Sequence, residues 1–103
     1  MKKALVIGSS KGIGKAISNK LKDLNFQLIT PSRKELDTSN IISVKKFIKI
    51  RIKYDIVILN TGGPPAMNFF DIKENDWIKY FNQLFLSFVL ILQNIKINKN
   101  GYI

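Results

Sequence analysis

The sequence contains no cysteine and no histidine. Without cysteine there are no disulfides and no thiolate metal site, which fits a reducing cytoplasm. Without histidine, imidazole acid–base chemistry and most transition-metal sites are excluded, so no metal centre is expected. Acidic residues are scarce, seven against 17 basic ones, and the formal charge is +10. That excess invites a nucleic-acid reading, but only two of the basic residues are arginines. Nucleic-acid surfaces more often cluster arginine with exposed aromatics, whereas these lysines are scattered along the polar sides of helical patterns. Lys, Ile and Asn together supply 42 of the 103 residues, a bias of composition with no focus at one place. No nucleic-acid partner is expected. Long apolar runs are missing too. Leu84–Leu92 is broken by Ser87 and falls far short of the ~20 residues that span a bilayer. The opening Met1–Ile7 enters a glycine turn too soon for a secretory h-region. A membrane role is not expected, and residues 1–103 form one domain at most.

Against these absences stands one stretch, Ala4-Leu5-Val6-Ile7-Gly8-Ser9-Ser10-Lys11-Gly12-Ile13-Gly14. A short buried strand ends at Gly8 and a helix begins near Gly12. The free N–H groups of that helix and its dipole favour a phosphate in the turn. Glycine is needed where a Cβ would block the tight turn or the approach of a pyrophosphate. Glycine-rich strand-to-helix turns also arise for steric reasons alone. The strand before and the amphipathic helix after point to a nucleotide.

The rest of the chain alternates strand and helix. Ile13, Ile17, Leu21 and Leu24 recur at helical spacing, with Asn25 as a stop. Phe26–Thr30 reads as a second strand ended by Pro31, which makes a right-handed βαβ unit. Ile41, Val44, Phe47 and Ile48 suggest a second crossover helix, and Tyr54–Leu59 a third buried strand. A helix over 74–97 follows, with Trp77, Phe81, Leu84, Phe88, Ile91 and Ile95 at helical period and apolar residues on its other faces. Such a helix is buried, here between the sheet and a partner subunit. Where the second strand of a doubly wound sheet ends, an acid receives a free ribose 2′-hydroxyl and a base receives a 2′-phosphate. The first charge after Pro31-Ser32 is Arg33, and Lys11 sits in the glycine turn. This pair favours NADP ahead of NAD, unless both are ordinary surface cations. Asn60-Thr61-Gly62-Gly63-Pro64-Pro65 closes the third strand with a turn.

Gly8-Ser9-Ser10-Lys11-Gly12-Ile13-Gly14 resembles the cofactor turn of the short-chain dehydrogenase/reductase family, T-G-x-x-x-G-I-G, with Ile7 where that family usually has Thr. Asn60-Thr61-Gly62-Gly63-Pro64 resembles its second signature, N-N-A-G, with Leu59 in place of the first Asn. The resemblance implies an α/β fold, a partial Rossmann-type doubly wound parallel sheet in strand order 3-2-1-4 with the start of strand 5. It implies a nicotinamide cofactor and hydride transfer between it and a small carbonyl or alcohol substrate. The cofactor-binding set it implies is Gly8, Ser10, Lys11, Gly12, Ile13, Gly14, Ser32, Arg33, Asp37, Asn60 and Gly62. Asp37 matches the family's adenine contact, or else caps the next helix. The helix at 74–97 corresponds to one that often joins subunits of a homo-oligomer. The position seven residues after Trp77, where the family has a catalytic-site Asn, is Leu84.

The family's catalytic Ser and Y-x-x-x-K are not among these residues. Ile58 and Leu84 stand four after Tyr54 and Tyr80, and Tyr102 is followed only by Ile103. No catalytic residue is assigned. The chain is read as the N-terminal, cofactor-binding fragment of an NADP-dependent oxidoreductase, inactive by itself. It is expected to leave Ile56–Leu59 as an unpaired edge and to self-associate as salt rises. The alternative is a non-catalytic nucleotide-binding or interaction module complete at 103 residues.

Overall fold

Four apolar residues in succession suit a strand covered on both faces, and Ala4, Leu5, Val6 and Ile7 are all buried. The computed structural model describes all residues, Met1–Ile103. Its elements are β1 (Lys3–Ile7), α1 (Gly12–Asp23), β2 (Gln27–Ile29), α2 (Ile41–Phe47) and β3 (Lys53–Leu59). A short 3-10 turn at Phe69–Asp71 leads into α3 (Glu74–Phe81), a π turn (Asn82–Leu86), α4 (Ser87–Asn94) and β4 (Lys96–Tyr102). All strand pairs are parallel and the sheet runs β2-β1-β3-β4. Leu5 lies between Ile29 and Val57. Alternate β1 residues feed the two faces. Leu5 and Ile7 pack with Val44 and Phe47 of α2 and Ile91 of α4. Ala4 and Val6 pack with Leu21 of α1. This is the doubly wound α/β architecture.

One outer position differs from the expected order 3-2-1-4. Counted as in a complete Rossmann sheet, the four strands are 2, 1, 4 and 5, and strand 3 is not formed. Residues 32–40 spend their hydrogen bonds on turns instead. Ser32 N donates to Glu35 Oε1 at 2.9 Å, and Leu36 N to Ser32 O at 2.8 Å. Ser39 N and Oγ donate to Asp37 Oδ1. The cap of α2 is Asn40, whose Oδ1 accepts from Ile42 N and Ser43 N, so the helix-capping alternative for Asp37 falls to its neighbour. Leu36 and Thr38 are nevertheless buried, which pins the segment across the end of the sheet.

The last helical run ends at Asn94 and not at residue 97, and Lys96 already opens β4. Lys53 pairs with Lys96, Tyr54 with Ile97 and, past an irregularity, Ile56 with Tyr102, so β3 is an inner strand as far as Ile56, and the edge expected at Ile56–Leu59 is covered only at its first residue. Ile95 and Ile97 pack on the core, which favours the extended chain there. The apolar stripe of α3 is the other departure. Ile91 is buried, but Trp77, Phe81 and Leu84 are exposed, because α4 alone packs against α2 and the sheet.

Asp55 laces three strands together. Its Oδ2 accepts from Lys3 N of β1 at 2.8 Å, and its Oδ1 from Asn98 Nδ2 of β4 at 3.0 Å. The Lys3 amide foremost, then Asn98, holds the carboxyl below the usual carboxylate range. A depressed folded pKa gives stability that is complete above the unfolded value, about 4. That stability is lost as pH falls through the folded value. Asp55→Asn is expected to lower the urea midpoint at pH 7 and to flatten its decline below about pH 4. Parallel acid limbs in wild type and variant would show that Asp55 does not carry this dependence.

Candidate functional site

The carboxyl ends of β1, β2 and β3 open into one cleft of about 620 Å³. The turn after β1 forms its floor. Gly8 has φ +77° and Gly12 φ +62°, a region that only glycine enters cheaply. A Cβ on Gly8 would strike the Asn60 carbonyl, and one on Gly14 would strike the Gly8 carbonyl. The glycines thus let the first turn of α1 settle directly on the strand end. Lys11, the N-cap of α1, makes no side-chain cap hydrogen bond, and no acid stands in the first turn. The N–H groups and positive dipole end of a 12-residue helix are left without a capping side chain.

Asn60 fastens the adjacent strand end. Its N–H donates to Ile7 O at 3.2 Å and its Nδ2 to Gly8 O at 3.4 Å. On the β2 side, Arg33 Nε lies 4.0 Å from Asp37 Oδ2, with the arginine side chain 80% exposed and free to swing to a ligand. Thr38 Oγ1 stands 3.4 Å from Thr61 Oγ1. Gln83 Nε2 donates to Thr61 Oγ1 at 3.3 Å and to the Gly62 carbonyl. Three cations, Lys11, Arg33 and Lys79, line the cleft against a single acid, Asp37. The arrangement suits an elongated anionic ligand laid across the strand ends. No group of three Asp, Glu, His or Cys residues forms a metal site, and no helix is long and apolar enough to cross a membrane.

Of the residues singled out in the sequence, Gly8, Ser10, Lys11, Ser32, Arg33, Asp37, Asn60 and Gly62 all line this cleft. Gly12, Ile13 and Gly14 do not. Ile13 is exposed, and Gly14 is buried beneath the turn it allows to form. Thr38, Thr61, Lys79, Tyr80 and Gln83 also line the cleft and escaped the sequence reading. A signal existed for two of them: Lys79 and Gln83 stand with Ser87 at four-residue spacing along one helical run.

No protein-family model and no curated protein sequence matches the chain. Solved structures do. An oxidoreductase (short chain dehydrogenase/reductase) from Brucella ovis superposes with a TM-score of 0.82 at 23% identity, over 91% of this chain and 54% of its own. A Brucella ovis oxidoreductase of the same family, in complex with a partially ordered NAD, gives 0.81 at 22% identity, over 90% and 55%. A short chain dehydrogenase from Burkholderia cenocepacia J2315 in complex with NADP gives 0.70 at 20% identity, over 90% and 49%. The chain spans about half the length of the structures it matches. Its fold is that of the short-chain dehydrogenases/reductases.

Proposed function

We propose that this chain is the dinucleotide-binding part of an NADP-dependent oxidoreductase of the short-chain dehydrogenase/reductase type. The observation that carries this reading is the uncapped N-terminus of α1, seated by Gly8 and Gly14 on the end of β1 within a cation-lined cleft. The cradle fits a nicotinamide dinucleotide. The first N–H groups of α1 would hold the pyrophosphate, which the backbone can approach because Gly8 lacks a side chain. Ser10 and Lys11 border it. Ser32 and Arg33 would receive the ribose 2′-phosphate, Asp37 the adenine, and Asn60 and Gly62 would flank the ribose. When bound, the cofactor supplies or accepts the hydride that interconverts a small carbonyl and alcohol.

The residues present position and desolvate; they do not move a proton. A reductase step needs an acid near the carbonyl oxygen and a hydrogen-bond donor beside it, and neither lines this cleft in the form of the family's Ser and Y-x-x-x-K. The exposed Trp77, Phe81, Leu84 and Phe85 suit the packing of this helix on a second copy. A cytoplasmic setting agrees with the absence of cysteine. The likeness to oxidoreductases, and not a group in the cleft, sets this reading ahead of a non-catalytic module.

The test is a fluorescence titration of the 103-residue chain with NADPH and NADH, alongside a carbonyl-reduction assay. Saturable binding of NADPH without turnover is expected. Failure to bind either cofactor at millimolar concentration would reject the reading, and turnover would reject the division of labour.

A further inference from the structure

A polar cluster built on Thr38, Thr61 and Gln83 forms one wall of the cleft. The carbonyl of Thr38 is held by the buried Ser87 hydroxyl, and the Thr38 hydroxyl meets that of Thr61. Gln83 joins them from the π turn, donating from Nε2 to Thr61 Oγ1 and to the Gly62 carbonyl. A carbonyl oxygen can only accept, so the amide NH2 must be the end that faces Gly62, and both its N–H bonds are engaged. No donor of the chain reaches the amide oxygen. Gln83 shares this wall with Asp37, whose Oδ1 is occupied by Ser39 and whose Oδ2 has only the distant Arg33.

The wall therefore offers acceptors where it meets a ligand. It joins the segment that follows β2, at Thr38, to the end of β3, at Thr61 and Gly62, and an adenosine half laid from the end of β2 would meet it there. A purine bearing an exocyclic amine can donate to such a wall. A purine bearing a carbonyl at the same place sets oxygen against oxygen and leaves a polar group unpaired. We infer that Gln83 is a specificity residue of this cleft, its amide oxygen accepting a hydrogen bond from the exocyclic amine of an adenine base. The inference rests on the dinucleotide reading above and adds how the base is chosen.

The experiment titrates the full chain with NADPH and with its deaminated analogue, reduced nicotinamide hypoxanthine dinucleotide phosphate. One neutral hydrogen bond makes the expected preference for the amine about 3- to 10-fold. Gln83→Met keeps the length of the side chain and removes the acceptor, and should bring the ratio close to one. Thr61→Val loosens the hold on the amide while leaving its oxygen in place. It should weaken both ligands by a similar factor and preserve the ratio. If wild type binds the two analogues equally, the inference is overturned whatever the variants do. A ratio unchanged in a folded Gln83→Met would overturn it as well. Wild type that binds neither ligand overturns the dinucleotide reading itself, and the choice of base with it.

Discussion

Alanine at position 14 is expected to cost about 3 kcal/mol of stability and to abolish dinucleotide binding. The added methyl would occupy the place of the Gly8 carbonyl and come within 3.0 Å of Asn60 Nδ2. Neither neighbour can yield. Gly8 O accepts from Asn60, and Asn60 N is in turn bonded to Ile7 O, so the strand end is braced from two sides. The first turn of α1 would have to lift off the sheet, carrying its N–H groups away from the pyrophosphate. Gly12 provides the contrast. A Cβ there meets nothing within 4 Å, and only its φ of +62° opposes a side chain. Gly12→Ala should cost about 1 kcal/mol, the strain of one left-handed residue. Urea unfolding of both variants, with NADPH titration beside it, separates the two effects. Equal losses at positions 12 and 14 would mean that packing of helix on turn is not what Gly14 provides.

The second large effect concerns the phosphate on the ribose. Arg33→Asp is expected to lower the preference for NADPH over NADH by at least tenfold. A charge-assisted hydrogen bond to phosphate contributes roughly 1.5–3 kcal/mol, and each 1.4 kcal/mol is about tenfold in affinity. In the free chain Arg33 loses little by leaving Asp37, because a pair 4.0 Å apart with one partner 80% exposed is weakly held. Aspartate would also repel the 2′-phosphate and could receive the 2′-hydroxyl of NADH, so the two affinities move in opposite directions. Lys11 remains in the variant and limits the loss. The double change Lys11→Glu with Arg33→Asp should remove the preference altogether. Equal NADPH and NADH affinities in the wild-type chain would take Arg33 out of this role.

The central strands were legible because each carries its own signal. Ala4–Ile7 and Ile56–Leu59 are continuous apolar runs, as strands covered on both faces require. The glycine turn was legible because its chemistry is local: positive φ at Gly8 and Gly12, and no space for a Cβ at Gly14. What stayed hidden depends on partners distant in the chain. Residues 32–40 hold one apolar residue, Leu36, and one β-branched residue, Thr38, and glutamate, aspartate and asparagine side chains there bond neighbouring N–H groups and hold the segment in turns. Gln83 showed only as one of several polar residues along its helix, since its partners lie 22 and 21 residues away. The stripe from Trp77 to Ile91 gave the correct period, but period alone does not say how far along the helix the sheet reaches.

The π turn at Asn82–Leu86 acts on the helix as a correction to its pitch. In a regular α-helix, residues four apart drift around the axis by about 40°, so three such steps fan through about 120°. From Lys79 through Gln83 and Ser87 to Ile91, that drift would carry one end of the line away from the surface touched by the other. A wider turn advances less per residue and takes back much of the drift. Lys79 and Gln83 can then reach the cleft while Ser87 and Ile91 stay wholly buried. The helix thus behaves as a screw with one thread recut, and the single recut thread keeps the ligand wall and the protein core on the same bearing.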